Sequence, residues 1–137
     1  MEELTPEELR TFFSRDLFAV YVGIELLEAG NGRAVARLKL REHHRNGLGT
    51  VQGGAIFTLA DLAFAAAVNS RGRVAVAIHA SISFLKAAQG EALIAEAEEV
   101  SCGPKLASYT IRVKESSGEL IALFEGMAYR KKERPSF

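Results

Sequence analysis

A run of small and apolar residues from Ala55 to Asn69 limits what this chain can fold into more than any other feature. Ala, Leu and Phe dominate the run, which favours a helix of about four turns. Because the run is apolar nearly all round, the helix is expected to be buried on all sides. One acidic residue, Asp61, interrupts it, and a buried carboxylate needs something that compensates its charge.

The segments on both sides of this helix have the alternating pattern of β-strands. Residues 19–28 and 33–40 predict a hairpin around the turn Gly30-Asn31-Gly32. Four more strands are predicted after the helix, at residues 74–86, 91–101, 106–115 and 119–130. Short turns between consecutive strands favour an antiparallel sheet. A sheet that accompanies one buried helix is expected to curl round it.

The length of 137 residues fits one domain that covers residues 1–137. Residues 1–14 contain an N-terminal helix, because Thr5, Pro6 and Glu8 form a capping box with proline at the first helical position. Residues 41–51 are polar and predict a loop, with His43 and His44 on its surface rather than as ligands. The tail, residues 131–137, is expected to fray.

The composition argues against several classes of protein. The 17 basic residues balance 17 acidic ones, which gives no electrostatic reason to expect a nucleic acid or an anionic membrane as partner. Cys102 is the single cysteine, so no intramolecular disulfide is expected. The N-terminus lacks the apolar core of a secretory signal, and the longest apolar run is too short to span a bilayer. A cytoplasmic protein is expected.

Asp61 is the first candidate for chemistry. No Lys or Arg lies three or four residues away on the helix to pair with it. Desolvation raises the pKa of a carboxyl group and makes the carboxylate a better base or nucleophile. The alternative is a structural carboxylate that pairs with a basic residue from elsewhere or caps a loop.

Gly53-Gly54 and Asn46 are the next candidates. A helix that starts after glycines exposes free backbone N–H groups, which bind a phosphate or a developing oxyanion. Asn46 stands before Gly47, and its amide is suited to position a water or a carbonyl. Ordinary turns are the alternative for both features. Phosphate-loop and dinucleotide fingerprints are absent.

These residues together form a pattern that resembles the hotdog-fold acyl-CoA thioesterases, and most of all their PaaI-like (phenylacetate-degradation) group. The resemblance implies an α+β hotdog fold, in which a curled antiparallel sheet wraps a long central helix. It also implies homodimers and dimers of dimers. The matching positions are Asn46, Gly47, Gln52-Gly53-Gly54, Leu59-Ala60-Asp61, Ala63-Phe64-Ala65 and Asn69-Ser70.

The resemblance also implies roles for the catalytic residues. Asp61 matches the general base or nucleophile, and Gly53 matches the residue whose N–H polarises the thioester carbonyl. Asn46 helps to hold the water or the acyl oxygen. Gln52 departs from the family, which usually has His there, and Ala87 stands where the family often has Pro. No metal and no cofactor are implied, apart from coenzyme A as part of the substrate.

The resemblance further indicates residues that bind substrate. It places the CoA nucleotide near the turn that contains Cys102, Gly103 and Lys105, with Arg71 or Arg73 as further phosphate ligands. Solvated surface charge is the alternative for these cations. Phe57 and Phe64 are assigned to the acyl pocket, although both rings also fit a core position, and Gly54 is a further substrate-binding candidate. His79, Ser81 and Ser83 share one strand face and line either the substrate cleft or a dimer interface.

The spacing of Gly53 and Asp61 predicts a site shared between subunits. They are 61 − 53 = 8 residues apart, which is roughly 12 Å along one helix. Reacting atoms must approach to about 3–3.5 Å. A two-fold dimer would bring Asp61 of one chain to Gly53 of the other and make two equal sites.

The sequence therefore predicts a thioester hydrolase that converts acyl-CoA or aryl-acyl-CoA to free acid and CoA. Two alternatives stay open on the same fold. One is a catalytically weak acyl-CoA-binding or sensing module, which Gln52 favours. The other is a hotdog dehydratase or hydratase, although such sites usually pair His with an acid.

Overall fold

Three α-helices and six β-strands follow one another in the computed structural model, which describes residues 2–136. Two short helices come first, α1 (Pro6–Phe13) and α2 (Leu17–Val22). Strands β1 (Ile24–Gly30) and β2 (Arg33–Lys39), a 3-10 turn (Glu42–His44) and the long helix α3 (Gly53–Asn69) follow. Four consecutive strands complete the fold: β3 (Ala75–Phe84), β4 (Ala92–Cys102), β5 (Leu106–Glu115) and β6 (Leu120–Arg130).

The six strands form one sheet in the order β1-β2-β4-β5-β6-β3, and every neighbouring pair is antiparallel. Helix α3 contacts all six strands. A sheet can touch one helix with every strand only if it bends round that helix, so the predicted curled antiparallel sheet is confirmed.

Helix α3 is 17 residues long and starts after Gln52, whose backbone is still extended. Most of its circumference is covered, with Leu59, Ala60, Ala63, Phe64 and Ala67 among the buried residues. The expectation of burial on all sides is nevertheless wrong, because the sheet does not close completely round the helix. Side chains spaced three or four residues apart share a helix face. One such stripe is half-buried or exposed and consists of Gly54, Thr58, Asp61 and Ala65.

Residues 19–22 are helical, which corrects the prediction of a strand over 19–28. The Asp16 carboxylate caps helix α2 by accepting a hydrogen bond from the Ala19 N–H at 3.1 Å. Gly23 ends the helix in the left-handed region, with φ of 100°. This start signal and this stop signal outweigh the apolar alternation, and the strand begins only at Ile24. The hairpin of β1 and β2 is confirmed.

Strand β3 forms an edge of the sheet. Within residues 2–136 it pairs only with β6, and a bulge interrupts the pairing between Ala77 and His79. Its large apolar residues Val76, Ile78 and Phe84 are exposed. An edge with unpaired backbone groups and exposed apolar side chains is suited to pair with another strand.

Close packing between helix α3 and β6 depends on Gly126. The Phe64 ring packs beside Phe124 and Tyr109 in the core. A Cβ atom on Gly126 would lie 2.7 Å from Phe64 Cε2, so only glycine lets the ring approach the sheet this closely. The contact fixes the height of the helix above the sheet.

Both ends of the chain pack against the fold. The predicted capping box of Thr5 and Glu8 is present at the start of α1. Residues 131–136 have no helix or strand, yet they are not simply frayed. The Lys131 N–H donates to the Val74 carbonyl at 2.7 Å and the Val74 N–H donates to the Glu133 carbonyl at 2.9 Å. Pro135 is buried, and the last residue of the predicted tail, Phe137, lies outside the described residues.

Candidate active site

Asp61 lies on the open stripe of helix α3, half-buried among apolar neighbours. Its carboxylate makes no hydrogen bond and no ion pair with any residue in the range 2–136. Burial raises the pKa of Asp61, and the nearby negative charge of Asp16 raises it further. The structural alternative, a carboxylate held in an ion pair, therefore has no support within the described chain.

Asp16 is a neighbour of the site that sequence reasoning missed. It caps helix α2, and that helix packs against α3. No local signal could have revealed the proximity, because Asp16 and Asp61 are far apart along the chain and the intervening helix α2 was interpreted as a strand.

The N–H group of Gly53 is the first of helix α3 and lies at its positive end. It donates a hydrogen bond to Gln52 Oε1 at 3.0 Å. The Phe84 ring packs over Gly53, such that an added Cβ would lie 3.1 Å from Phe84 Cζ. A groove of about 280 Å³ opens beside this glycine, with Val51, Ile56 and Lys86 in its lining.

The Asn46 side chain stabilises its own loop through hydrogen bonds. Its Oδ1 accepts hydrogen bonds from the N–H groups of Leu48 (2.9 Å) and Thr50 (3.2 Å). Its Nδ2 donates to Thr50 Oγ1 at 3.0 Å. A primary amide carries two N–H donors, so one donor has no partner in this arrangement.

His44 joins helix α2 to the loop that carries Asn46 and Gln52. Its Nδ1 accepts from the Arg41 N–H at 3.0 Å, which leaves Nε2 to donate to the Val22 carbonyl at 2.6 Å. The His44 carbonyl in turn accepts from the Gln52 N–H at 2.7 Å. The ring is buried, so the expectation of a surface loop histidine is wrong.

Arg71 belongs to a structural network rather than to a phosphate site. Its guanidinium donates two hydrogen bonds to Glu99, at 3.1 and 2.6 Å, and one to Glu3 at 3.1 Å. The Tyr109 hydroxyl also donates to Glu99. The hydrogen bonds from Arg71 lower the pKa of Glu99, as expected for a firm ion pair. Arg71 is therefore not free to bind a CoA phosphate, which corrects the prediction.

Lys105 lies in a basic groove of about 430 Å³ at the end of the sheet. Gly103 shapes the turn before it, since its N–H donates to the Leu106 carbonyl at 2.8 Å and its carbonyl accepts from Arg130 at 2.7 Å. Partial burial raises the pKa of the Cys102 thiol, which disfavours a thiolate nucleophile. The groove is lined by Arg73, Pro104, Lys105, Tyr129, Arg130 and Lys132.

The other residues assigned to substrate binding lie partly in the core and partly on the surface. Phe64 is only 1% exposed and belongs to the core, so it cannot line an open acyl site. Phe57 is half-buried with its ring against Phe124. Gly54 is exposed on the open stripe of α3, and its carbonyl accepts from the Thr58 hydroxyl at 2.7 Å.

The polar residues of β3 lie away from the helix. Ala80 and Ile82 pack against the core, so the alternate residues His79, Ser81 and Ser83 face the outer side of the sheet. His79 and Ser81 line a shallow groove of about 300 Å³ there. Within one chain they do not share a cleft with Asp61, and an interface role is the alternative that fits this position.

Gly53 and Asp61 lie on one unbroken helix, so their separation along its axis is roughly 12 Å. One thioester carbonyl cannot contact both within a single chain. In residues 2–136 no three His, Cys, Asp or Glu side chains are grouped to hold a metal ion. The described helices include none that is long and apolar enough to cross a membrane.

Comparisons with known proteins agree with the fold. The sequence profile described as the thioesterase superfamily matches residues 48–122. A protein from Archaeoglobus fulgidus that is provisionally named an esterase is 43% identical over 88% of this chain and 79% of its own length. The acyl-coenzyme A thioesterase PaaI from Escherichia coli is 32% identical over 90% of this chain and 89% of its own. The structure of E. coli PaaI superposes with a TM-score of 0.88 over 92% of both chains, at 31% identity.

Proposed function

Because this chain belongs to the thioesterase superfamily, we propose that it is an acyl-CoA thioesterase, which hydrolyses the thioester bond and releases a free acid and CoA. The observation that carries the proposal is the half-buried Asp61 carboxylate, which has a raised pKa and no partner in residues 2–136. A carboxylate held in this way on the open stripe of a central helix is available to accept a proton.

In the proposed reaction, Asp61 accepts a proton from a water molecule as the water oxygen attacks the thioester carbonyl. The Gly53 N–H donates to the oxyanion of the tetrahedral intermediate. Collapse of the intermediate breaks the carbon–sulfur bond, and the leaving CoA thiolate takes up the proton held by Asp61, which regenerates the carboxylate. We assign the free N–H of the Asn46 amide to hold the water. The reaction needs no metal and no cofactor beyond the CoA of the substrate.

Gln52 must move during substrate binding in this proposal. Its Oε1 accepts the hydrogen bond from the Gly53 N–H that the thioester oxygen would take. The Gln52 side chain is exposed, so rotation towards solvent meets no packing barrier. After rotation, the side-chain amide can orient the loop between Asn46 and Gly53 without proton transfer, which would account for Gln in the place of the family histidine.

We propose that the catalytic unit is a homodimer with two shared sites. The separation of Gly53 and Asp61 along α3 supports it, because each site then takes one residue from each chain. The exposed edge of β3, with Val76 and Ile78, supports pairing with the same strand of a second copy. Association of two such dimers would give a tetramer.

We propose that the basic groove around Lys105 binds the phosphates of CoA. Arg73, Arg130 and Lys132 surround it with Lys105, and anionic phosphate groups are attracted to such a cluster. A cytoplasmic location, where CoA esters and a reduced cysteine both occur, is part of the same proposal.

The test is release of free thiol from acyl-CoA esters, measured with a thiol-trapping dye. We expect wild-type protein to release CoA and Asp61→Asn to lower kcat/KM by roughly 10²–10⁴-fold, as for loss of a general base. Circular dichroism should show that the variant keeps the fold. Tight binding of acyl-CoA without thiol release by the wild type would instead identify a sensing module and overturn the proposal.

A further inference from the structure

His44 is buried in a loop whose other residues are mostly exposed, with only 3% of its surface accessible. Both nitrogens of its ring make hydrogen bonds. Nδ1 accepts from the Arg41 N–H at 3.0 Å, and Nε2 donates to the Val22 carbonyl at 2.6 Å. Burial of polar atoms costs free energy that such bonds only offset, so an apolar side chain would fill this position as well. Packing alone therefore does not account for a histidine here.

One end of the connection made by this histidine is helix α2. Val22 is the last residue of the helix, and the carbonyl groups of a final helical turn have no partner within the helix. The His44 ring supplies a donor to one of these carbonyls. Helix α2 is itself held in place, because it packs against α3 and β1 and buries Ala19 in the core. The Val22 carbonyl is therefore a fixed anchor for the ring.

The other end of the connection is the start of helix α3. The His44 carbonyl accepts from the Gln52 N–H at 2.7 Å, and the adjacent pair, Arg45 and Val51, forms a β-bridge. His44 and Gln52 thus close the base of the loop that precedes α3. Gln52 is the N-cap of α3, and Gly53 directly follows it. The backbone of Gln52 is therefore held by His44 even while its side chain rotates.

We propose that His44 is a positioning residue for the oxyanion donor, because it ties the base of this loop to the end of α2 and so fixes the direction of the Gly53 N–H. The inference rests on the proposed thioesterase function. The first N–H of a helix has no intrahelical partner that would orient it. A displacement of about 1 Å in a catalytic group is enough to slow a reaction by about 10²-fold. Since the donor acts mainly as the oxyanion forms, its misplacement should lower kcat and leave KM unchanged.

Two amide variants separate the two hydrogen bonds of the ring. In His44→Gln, the side-chain N–H reaches the place of Nε2 and can still donate to the Val22 carbonyl. In His44→Asn, the shorter amide keeps an oxygen near the place of Nδ1 for the Arg41 N–H but loses the link to α2. We expect His44→Asn to lower kcat for acyl-CoA hydrolysis by about ten-fold or more at unchanged KM, and His44→Gln to stay close to wild type.

Hydrogen exchange of the Gln52 N–H, followed by NMR, reports on the same link without turnover. This N–H donates to the His44 carbonyl, so it should exchange faster in His44→Asn and at the wild-type rate in His44→Gln. A faster exchange in both variants, or in neither, would contradict the proposed connection.

Gly23→Ala tests the link from the side of helix α2 and decides the question if His44→Asn does not fold. Alanine is strained at the φ of 100° that ends the helix, which should displace the Val22 carbonyl while His44 stays intact. We expect kcat to fall at unchanged KM. Gly118→Ala is the matched control, because it places the same strain, at φ of 90°, in the turn between β5 and β6 and should leave kcat unchanged.

The remaining outcomes overturn the proposal. Wild-type kcat in His44→Asn, with only a lower midpoint of urea unfolding, would make the ring a residue of the fold alone. An equal loss of kcat in both amide variants would show that the bond to Val22 is not what matters. A higher KM at constant kcat would assign the effect to substrate binding. Absence of thiol release by the wild type would refute the proposed function as well, whereas normal hydrolysis with any of these three results refutes the inference alone.

Discussion

The ionisation of Asp61 is the residue-scale property on which the proposed reaction depends. Burial raises its pKa first, and the negative charge of Asp16 adds to the effect. The reaction needs the ionised form, so kcat/KM should rise with pH through an inflection above the ordinary aspartate value of 3.8. Asp16→Asn removes the like charge but keeps a side-chain oxygen that can cap α2. We expect the inflection of the pH profile to move to lower pH in this variant.

The control for the pH profile is Glu28→Gln, which neutralises an exposed carboxylate on β1. It should leave the inflection in place, because surface charges far from the site are screened by salt. An inflection that moves equally in both variants would mean that net charge, and not the Asp16 contact, sets the pKa of Asp61.

The same carboxylate should reduce the stability of the fold. A carboxyl group whose folded pKa is raised binds more protons in the folded state than in the unfolded state, so stability falls as pH rises from the unfolded pKa to the folded one. Above that window the ionised, desolvated group destabilises the protein. Asp61→Asn should therefore raise the melting temperature at neutral pH, and the gain should disappear below about pH 4. Thermal unfolding followed at both pH values measures the difference, and a gain that persists in acid would contradict the argument.

At the scale of elements, the contact of α3 with β6 should tolerate no added methyl group. Gly126→Ala places a Cβ against the buried Phe64 ring, and overpacking of this kind costs about 1–3 kcal/mol. Gly54→Ala is the matched control, since its Cβ would only meet Gln52 Cγ at 3.8 Å, and alanine is the better helix former. Urea unfolding should show a lower midpoint for the first variant and an equal or higher midpoint for the second. A neutral Gly126→Ala would show that the ring can move and that the glycine does not fix the helix height.

Helices and strands could be predicted from the sequence wherever one hydrophobic period continued over enough residues. Helix α3 and strands β4, β5 and β6 were found within a few residues of their ends, because 10 or more residues repeat one pattern in each. Helix α2 has only six residues, and such a short apolar segment fits a strand as well as a helix. Asp16 and Gly23 decide between the two through cap geometry that periodicity does not contain.

The residues of the candidate site also differ in whether the sequence alone predicts them. Asp61 and Gly53 could be predicted as site candidates from the sequence. Asp61 is the one acidic residue in the apolar run, and Gly53 stands at the start of the same helix. The role of Arg71 could not be predicted, since its partners Glu3 and Glu99 come from distant segments. The burial of His44 and the exposure of Leu17 and Tyr21 on α2 also depend on tertiary packing, and no local sequence signal predicts them.

At the scale of the whole molecule, the proposed site is incomplete in one chain. Each protomer offers one Asp61 and one Gly53 N–H, held roughly 12 Å apart along a rigid helix. Helix α3 cannot bend to close this gap, because its sheet-facing residues are packed against all six strands. In the proposed shared site a second copy supplies the donor opposite each carboxylate, which makes that site directly testable.

Complementation between two inactive variants provides the test. Gly53→Pro removes the proposed oxyanion donor but should keep the helix, because proline is favoured at the first helical position and the extended backbone of Gln52 suits the residue before it. The Phe84 ring, which lies 3.1 Å from an added Cβ, is exposed and can shift to make room. Asp61→Asn removes the base. In a mixed dimer, one site would receive both defects and the other neither. Dimers that carry one copy of each variant, co-expressed with different tags and purified for both, should therefore recover about half of wild-type activity.

Sites contained within one chain would behave differently, because every site of the mixed dimer would then carry one defect. Activity would stay at the level of the separate variants, and the shared site would be refuted. Doubly tagged Asp61→Asn dimers are the control for recovery caused by purification or by contaminating enzyme.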